Sequence, residues 1–189
     1  MEKRTVTSKP AKFKTREEGG EKIIAGYFAV FDDVYEIWDG NDERISPGAF
    51  TNALDADIRA LVNHNTDLVL GRTSAGTLSL MEDKKGLYGE IKINDADTDA
   101  LNLYARVQRG DVSQCSFGFD ILDEDAETDD SGKTHWTIKE VKLYEVSVVT
   151  FPAYAGTSVT ARKKDLEEIQ KRKNEKWKTE MKKRVAKWH

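Results

Sequence analysis

Leu87, Gly89, Ile91 and Ile93 alternate with Tyr88, Glu90 and Lys92 along residues 86–94, the period-two pattern of a half-buried strand. Strand formers also fill residues 22–31 (KIIAGYFAVF). Shorter runs at 35–38, 59–63, 68–72 and 77–82 predict further strands, the last two turning at Ala75-Gly76. Residues 112–122 and 134–150 are two longer runs, the second ended by Pro152. Six acids among the eleven residues 123–133 predict a solvated hairpin loop between them. Helical spacing surfaces three times. Ser46-Pro47 reads as a helix start followed by Phe50, Leu54, Ile58 and Leu61. Leu101, Tyr104, Ala105 and Val107 predict a helix from about Thr98 to Arg109, capped by Gly110. Leu166, Ile169, Trp177, Met181, Val185 and Trp188 draw one apolar stripe along a helix over 162–188. Regular βαβ alternation and internal repeats are lacking. The expected class is therefore mainly β with helices (α+β), a closed or partly open β-barrel flanked by helices, plus a C-terminal amphipathic helix.

Charge divides this pattern in two. Residues 162–189 carry twelve Lys and Arg against five Asp and Glu, a balance of +7; residues 1–161 keep 18 basic and 29 acidic residues, a balance of −11. The acids interleaved in the basic segment favour protein–protein docking over nucleic-acid or membrane binding. Residues 1–21, basic and ending near Gly19-Gly20, are expected to form a flexible arm, and 159–189 the basic helix. Seventeen aromatic residues supply mass for a core. The longest apolar runs are too short to span a membrane, the first twenty residues lack a secretory signal, and Cys115 is the single cysteine. These features read as a soluble intracellular protein.

Candidate chemistry is sparse. HxxxH, HExxH and phosphate-loop motifs are missing, so neither a metal nor a cofactor is expected. Of three histidines, His64 lies where an apolar run meets a polar turn, His135 follows the acidic loop, and His189 is terminal. Strand alternation puts Ser113, Cys115, Phe117, Phe119 and Ile121 on one face, which makes Cys115 a buried filler. Ser116 points the other way with Gly118 leaving space beside it, the support and open flank that a nucleophile needs. The same alternation puts Glu145 with Val141, Leu143, Ser147 and Val149 on a largely apolar face. A carboxylate there needs a partner, either an imidazolium or one of Arg72, Arg106 and Arg109.

Several strings then resemble one family. They include Gly26-Tyr27-Phe28-Ala29-Val30-Phe31, Ser46-Pro47-Gly48-Ala49-Phe50, Asn63-His64-Asn65, Leu70-Gly71-Arg72-Thr73, Arg109-Gly110-Asp111-Val112, Ser116-Phe117-Gly118-Phe119 and Tyr144-Glu145-Val146-Ser147-Val148-Val149-Thr150-Phe151-Pro152. In order and spacing, over residues 22–158, the chain resembles the prohead (capsid-maturation) serine proteases of tailed bacteriophages, relatives of the herpesvirus assemblins. The resemblance implies an assemblin-like barrel with Ser116 as nucleophile, His64 as base and Glu145 as the orienting third residue, where assemblins use a second histidine. Asp67 and His135 are the alternatives for that third place. It implies an endopeptidase acting on the major capsid protein and its scaffolding segment and on itself, able to form a homodimer, with no cofactor and no nucleic-acid or membrane partner. The expected location is inside the assembling prohead in the bacterial cytoplasm. Oxyanion donors are sought in the turn near Gly71-Arg72 or after Val149. The competing expectation is a non-enzymatic module that docks on scaffold or capsid chains.

Overall fold

The computed structural model describes residues 4–6 and 13–151, with scattered positions between 162 and 181. The chain divides into two compact units, Met1–Tyr154 and Ala155–His189. In the first unit, eleven strands and one α-helix are described. The strands are β1 (Arg4–Val6), β2 (Lys14–Glu18), β3 (Glu21–Val30), β4 (Tyr35–Trp38), β5 (Asn41–Ile45), β6 (Arg59–Val62), β7 (Asn65–Arg72), β8 (Leu78–Glu82), β9 (Gly86–Ile93), β10 (Gln114–Thr128) and β11 (Thr134–Val149). The helix is α1 (Thr98–Arg109). The helical stripe expected over 159–189 lies outside the described residues apart from isolated helical positions such as Trp177 and Thr179.

The expected class, mainly β with helices, holds; of the closed or partly open barrel expected, the described strands form two sheets and no closed barrel. One runs β1-β10-β11-β5-β4, with β6 also paired to β11 and β7 to β6; the other runs β2-β3-β9-β8. No ladder joins the two sheets among the described residues. The reason lies in β11. Its sixteen residues serve two parallel partners, β5 at His135–Ile138 and β6 at Glu145–Val148. After β7 the chain leaves this sheet through a 3₁₀ turn at Thr73–Ala75, so the two runs expected to flank Ala75-Gly76 go to different sheets.

Apolar residues from both sheets and the helix meet in one core. Cys115, Phe117 and Phe119 of β10 and Leu143, Val146 and Val148 of β11 join Ile24 and Phe28 of β3, Leu87 and Ile91 of β9, and Leu103 and Val107 of α1. Aromatic edges order it: Phe50 meets Phe117 at 5.6 Å, and Phe117 lies 4.8 Å from Phe119. The α1 boundaries match the expected ones. Asp97 caps the first turn by accepting from the Asp99 and Ala100 amides, and Gly110 closes the last.

Three local expectations fail for identifiable reasons. The stretch from Ser46 is a succession of turns, with Ala49, Thr51 and Ala53 amides each reaching back three residues, and not a helix. Glu82 takes the amides of Gly48 and Phe50, while the Ser46 hydroxyl donates to the Ile138 carbonyl instead of capping. Part of the expected N-terminal arm is strand: Gly19-Gly20, both with positive φ, make the two-residue turn of the β2–β3 hairpin, and β1 pairs with β10. The acidic segment is strand as far as Thr128, because Lys139 of β11 pairs with Asp123 and Asp125; only the tip at 129–133 is loop.

At that tip His135 Nδ1 lies 2.9 Å from Asp42 Oδ2. The hydrogen bond to Asp42 holds the His135 pKa above its ordinary value, helped by Asp129. A raised folded pKa stabilises below the unfolded value of about 6.5 and loses that contribution as pH rises through the folded value. We expect the unfolding midpoint gap between wild type and His135→Gln to be larger at pH 5.5 than at pH 9; thermal melts at both pH values measure it. Gly86 adopts φ 157°, and a Cβ there would stand 2.0 Å from the Ala29 carbonyl oxygen. Gly86→Ala is therefore expected to lose more than about 2 kcal/mol in urea unfolding.

Candidate active site

Strands β10 and β11 pair Gln114 with Val149, Cys115 with Val148, Ser116 with Ser147, Phe117 with Val146 and Gly118 with Glu145. Directly opposed residues of an antiparallel pair share a face. Cys115, Phe117, Val146 and Val148 belong to the core, so Ser116, Gly118, Ser147 and Glu145 lie on the opposite face. Beyond Gly118 the register slips: Phe119 opposes Leu143, leaving Tyr144 as the extra residue of a β-bulge. Simple alternation had put Glu145 with Val141 and Leu143. The bulge resets the phase, keeping those two residues in the core and turning Glu145 to the side of Ser116.

His64 reaches that face through a tight turn. Val62 pairs with Asn65, and the two residues between them, Asn63 and His64, have φ of 51° and 59°. This is the backbone of a type I′ hairpin, where glycine is the usual second residue; a histidine there costs on the order of 1–2 kcal/mol. Such strain persists only when the surroundings hold it. Here the Asn63 amide donates to the Val148 carbonyl at 3.0 Å, Asn63 Oδ1 accepts from the Thr150 amide at 2.8 Å, and the His64 amide donates to Ser147 Oγ at 3.2 Å.

The turn delivers the imidazole to the carboxylate. His64 Nδ1 lies 2.7 Å from Glu145 Oε1, and Ser147 Oγ donates to Glu145 Oε2 at 2.6 Å. The Glu145 side chain is 3% exposed and that of His64 26%. An ionised carboxylate can only accept, so the Nδ1 proton belongs to the histidine and Nε2 is left as the basic nitrogen. Among the described residues, neither the buried Nε2 nor Gln114 Oε1, two residues from Ser116 on the same face, has a hydrogen-bond partner. A buried polar atom left unpaired costs about 1–3 kcal/mol.

Below Glu145 this face opens into a hollow of about 270 Å³ lined by Asp57, Arg59, Leu61, Thr66, Val69, Tyr144 and Glu145. Its charges are internally paired. Asp57 takes Arg72 and Arg59, and the Arg72 hydrogen bond drives its pKa far below the usual carboxylate range. Tyr144 donates to Asp120 at 2.6 Å, which pushes the phenol pKa up.

Of the residues singled out from sequence, the structure bonds His64 to Glu145 and sets Ser116 on the same face of the β10–β11 pair, opposite Ser147. It separates the two alternatives for the third place. Asp67 is exposed on β7 and lines another hollow with Asp97 and Asp99. His135 is ten residues from Glu145 along β11, roughly 33 Å. Arg72 and Arg109, considered as carboxylate partners, bind Asp57 and Asp111. Of the expected oxyanion donors, the Arg72 amide is bonded to Thr77 Oγ1 and the Thr150 amide to Asn63. Cys115 faces the core, its thiol against the carbonyls of Tyr27 and Phe28. Ser147 was missed; its place two residues beyond Glu145, on the same strand face, was the available signal.

Residues 9–172 match the family described as Caudovirus prohead serine protease. The prohead protease of Enterobacteria phage HK97 is 32% identical over 164 residues, covering 85% of this chain and 68% of the phage protein. The capsid assembly protease of bacteriophage T4 has a similar fold, with a TM-score of 0.53 at 12% identity over 79% of this chain and 98% of that one.

The His64–Glu145 bond gives a spectroscopic expectation. A histidine Nδ1 proton held by a buried carboxylate resonates far downfield in proton NMR. We expect such a signal in the wild-type protein and its upfield shift or loss in Glu145→Gln, with the fold retained by circular dichroism.

Proposed function

Since the chain belongs to the Caudovirus prohead serine protease family, we propose that Ser116 is the nucleophile of its peptide-bond hydrolysis, with His64 as base and Glu145 as the group that orients it. The protein is a capsid-maturation protease. One observation carries the residue assignment: His64 is tied through Nδ1 to Glu145, while Nε2 stays unbonded beside the strand pair that bears Ser116.

In this reading His64 Nε2 takes the Ser116 proton as Oγ attacks the peptide carbonyl, then delivers it to the leaving amine. Water repeats the sequence on the acyl-enzyme and frees the acid. Glu145 keeps the proton on Nδ1 and stabilises the imidazolium formed in both steps. Ser116 has no solvent-exposed surface, so substrate binding requires this face to open. The substrates are the major capsid protein with its scaffolding segment and the protease itself, cut inside the prohead in the host cytoplasm. A homodimer and a division into a catalytic domain at 22–158 and a basic docking segment at 159–189 belong to the same reading.

Incubation of the protease with capsid protein, followed by mass spectrometry, tests the assignment. Wild type is expected to trim both chains. Ser116→Ala and His64→Ala should each lose roughly 10⁴-fold or more in rate while remaining folded. Undiminished trimming by Ser116→Ala would overturn the assignment.

A further inference from the structure

Two serines face each other across β10 and β11, and both are fully buried. Ser147 sends its proton to Glu145 Oε2 at 2.6 Å and receives the His64 amide at 3.2 Å on the same oxygen. Its hydroxyl is thus committed to the carboxylate and to the backbone of the strained turn. We propose that Ser147 is a positioning residue of the active site: one hydroxyl fixes both the carboxylate that orients His64 and the left-handed turn that carries it. The inference rests on the reading of Ser116, His64 and Glu145 given above.

Three features support this role over simple filling of space. The Glu145 side chain is anchored at both oxygens, one by the imidazole and one by Ser147, so its plane cannot rotate without breaking a bond in a nearly dry site. The turn at Asn63-His64 lies in a backbone region that favours glycine, and its second residue is held by a side-chain acceptor from β11. Finally, regular alternation sets Glu145 and Ser147 on one face two residues apart, and the bulge at Tyr144 turns that face away from Leu143, so the strand supplies the carboxylate and its donor as a unit.

The role predicts a particular pH signature. Removing the Ser147 hydroxyl leaves Glu145 with one donor fewer, so its negative charge bears more fully on His64 and favours the imidazolium. Among the described residues, the charged and titratable groups that share a hollow with Glu145 are Asp57, Arg59 of β6 and Tyr144 of β11; Asp57 is paired with Arg59 and with Arg72, and Tyr144 is bonded to Asp120 of β10.

The test compares wild type, Ser147→Ala, Ser147→Thr and Ser116→Ala in the full chain, under conditions in which wild type trims capsid protein. kcat/KM is followed from pH 5 to 9, beside the rate of fluorophosphonate labelling mapped by mass spectrometry. Ser147→Ala is expected to be labelled still at Ser116, about 10- to 100-fold more slowly, with the acidic limb of its profile moved to higher pH. Ser147→Thr, which keeps the hydroxyl, should recover most of the rate and the wild-type limb. Unchanged rate and profile in Ser147→Ala would overturn the proposal. So would a rate loss with an unmoved limb, since that is the mark of a packing defect. Labelling of wild type at Ser147, abolished in Ser147→Ala, would instead overturn the assignment of the nucleophile and this role with it. Undiminished activity in Ser116→Ala beside a shifted Ser147→Ala profile would strike the nucleophile assignment alone.

Discussion

A carboxylate with almost no exposed surface must find its neutralising partners where it lies, because leaving the charge unpaired in a dry interior costs several kcal/mol. Glu145 is that carboxylate, and meeting its requirement organises the centre of the molecule. Two of its hydrogen bonds come from Ser147 on its own strand and His64 on the β6–β7 turn. The turn can lie there because β6 runs parallel to β11 from Arg59 to Val62 and delivers its end beside Val148. Sheet order, the bulge at Tyr144 and the left-handed conformation of His64 all bear on how that carboxylate is hydrogen-bonded.

The arrangement also divides labour between the faces of a single strand pair. On one side Cys115, Phe117, Val146 and Val148 fill the core with apolar atoms. On the other, Ser116, Ser147 and Glu145 hold polar groups on the same rigid backbone. Groups supported this way keep their geometry better than groups on loops. The one functional side chain that does come from a turn, His64, is held at its neighbour Asn63, at its own amide and at its ring.

Much of this was legible in the residues. The face of Ser116, the burial of Cys115, the helix over Thr98–Arg109 and most strands follow from period-two and helical spacing alone. Glu145 shows where such reading stops. Alternation assigned it to the apolar face of Val141 and Leu143, and its functional orientation depends on a one-residue bulge that only pairing with β10 reveals. Ser46-Pro47 looked like a helix start because local propensity supports one; Glu82, 34 residues beyond Gly48 and 32 beyond Phe50, takes the amides of both. Whether a barrel would be closed or partly open could not be read, because strand content says little about which strands pair, and the described strands close none. The acidic segment read as loop on charge alone, yet Lys139 on the facing strand balances it.

His64 and Glu145 are separated by 81 residues, whereas Ser116 and Glu145 sit on the two strands of one hairpin. A chain synthesised from its N-terminus therefore carries the histidine turn long before the carboxylate that orients it exists. The β10–β11 hairpin is built from nearer neighbours and closes at lower entropic cost than the parallel docking of β6. The contact between His64 and Glu145 thus spans one of the longer loops that the fold has to close. If His64 and Glu145 act as proposed, hydrolytic competence is tied to synthesis of β11, and a nascent chain ending before that strand lacks it.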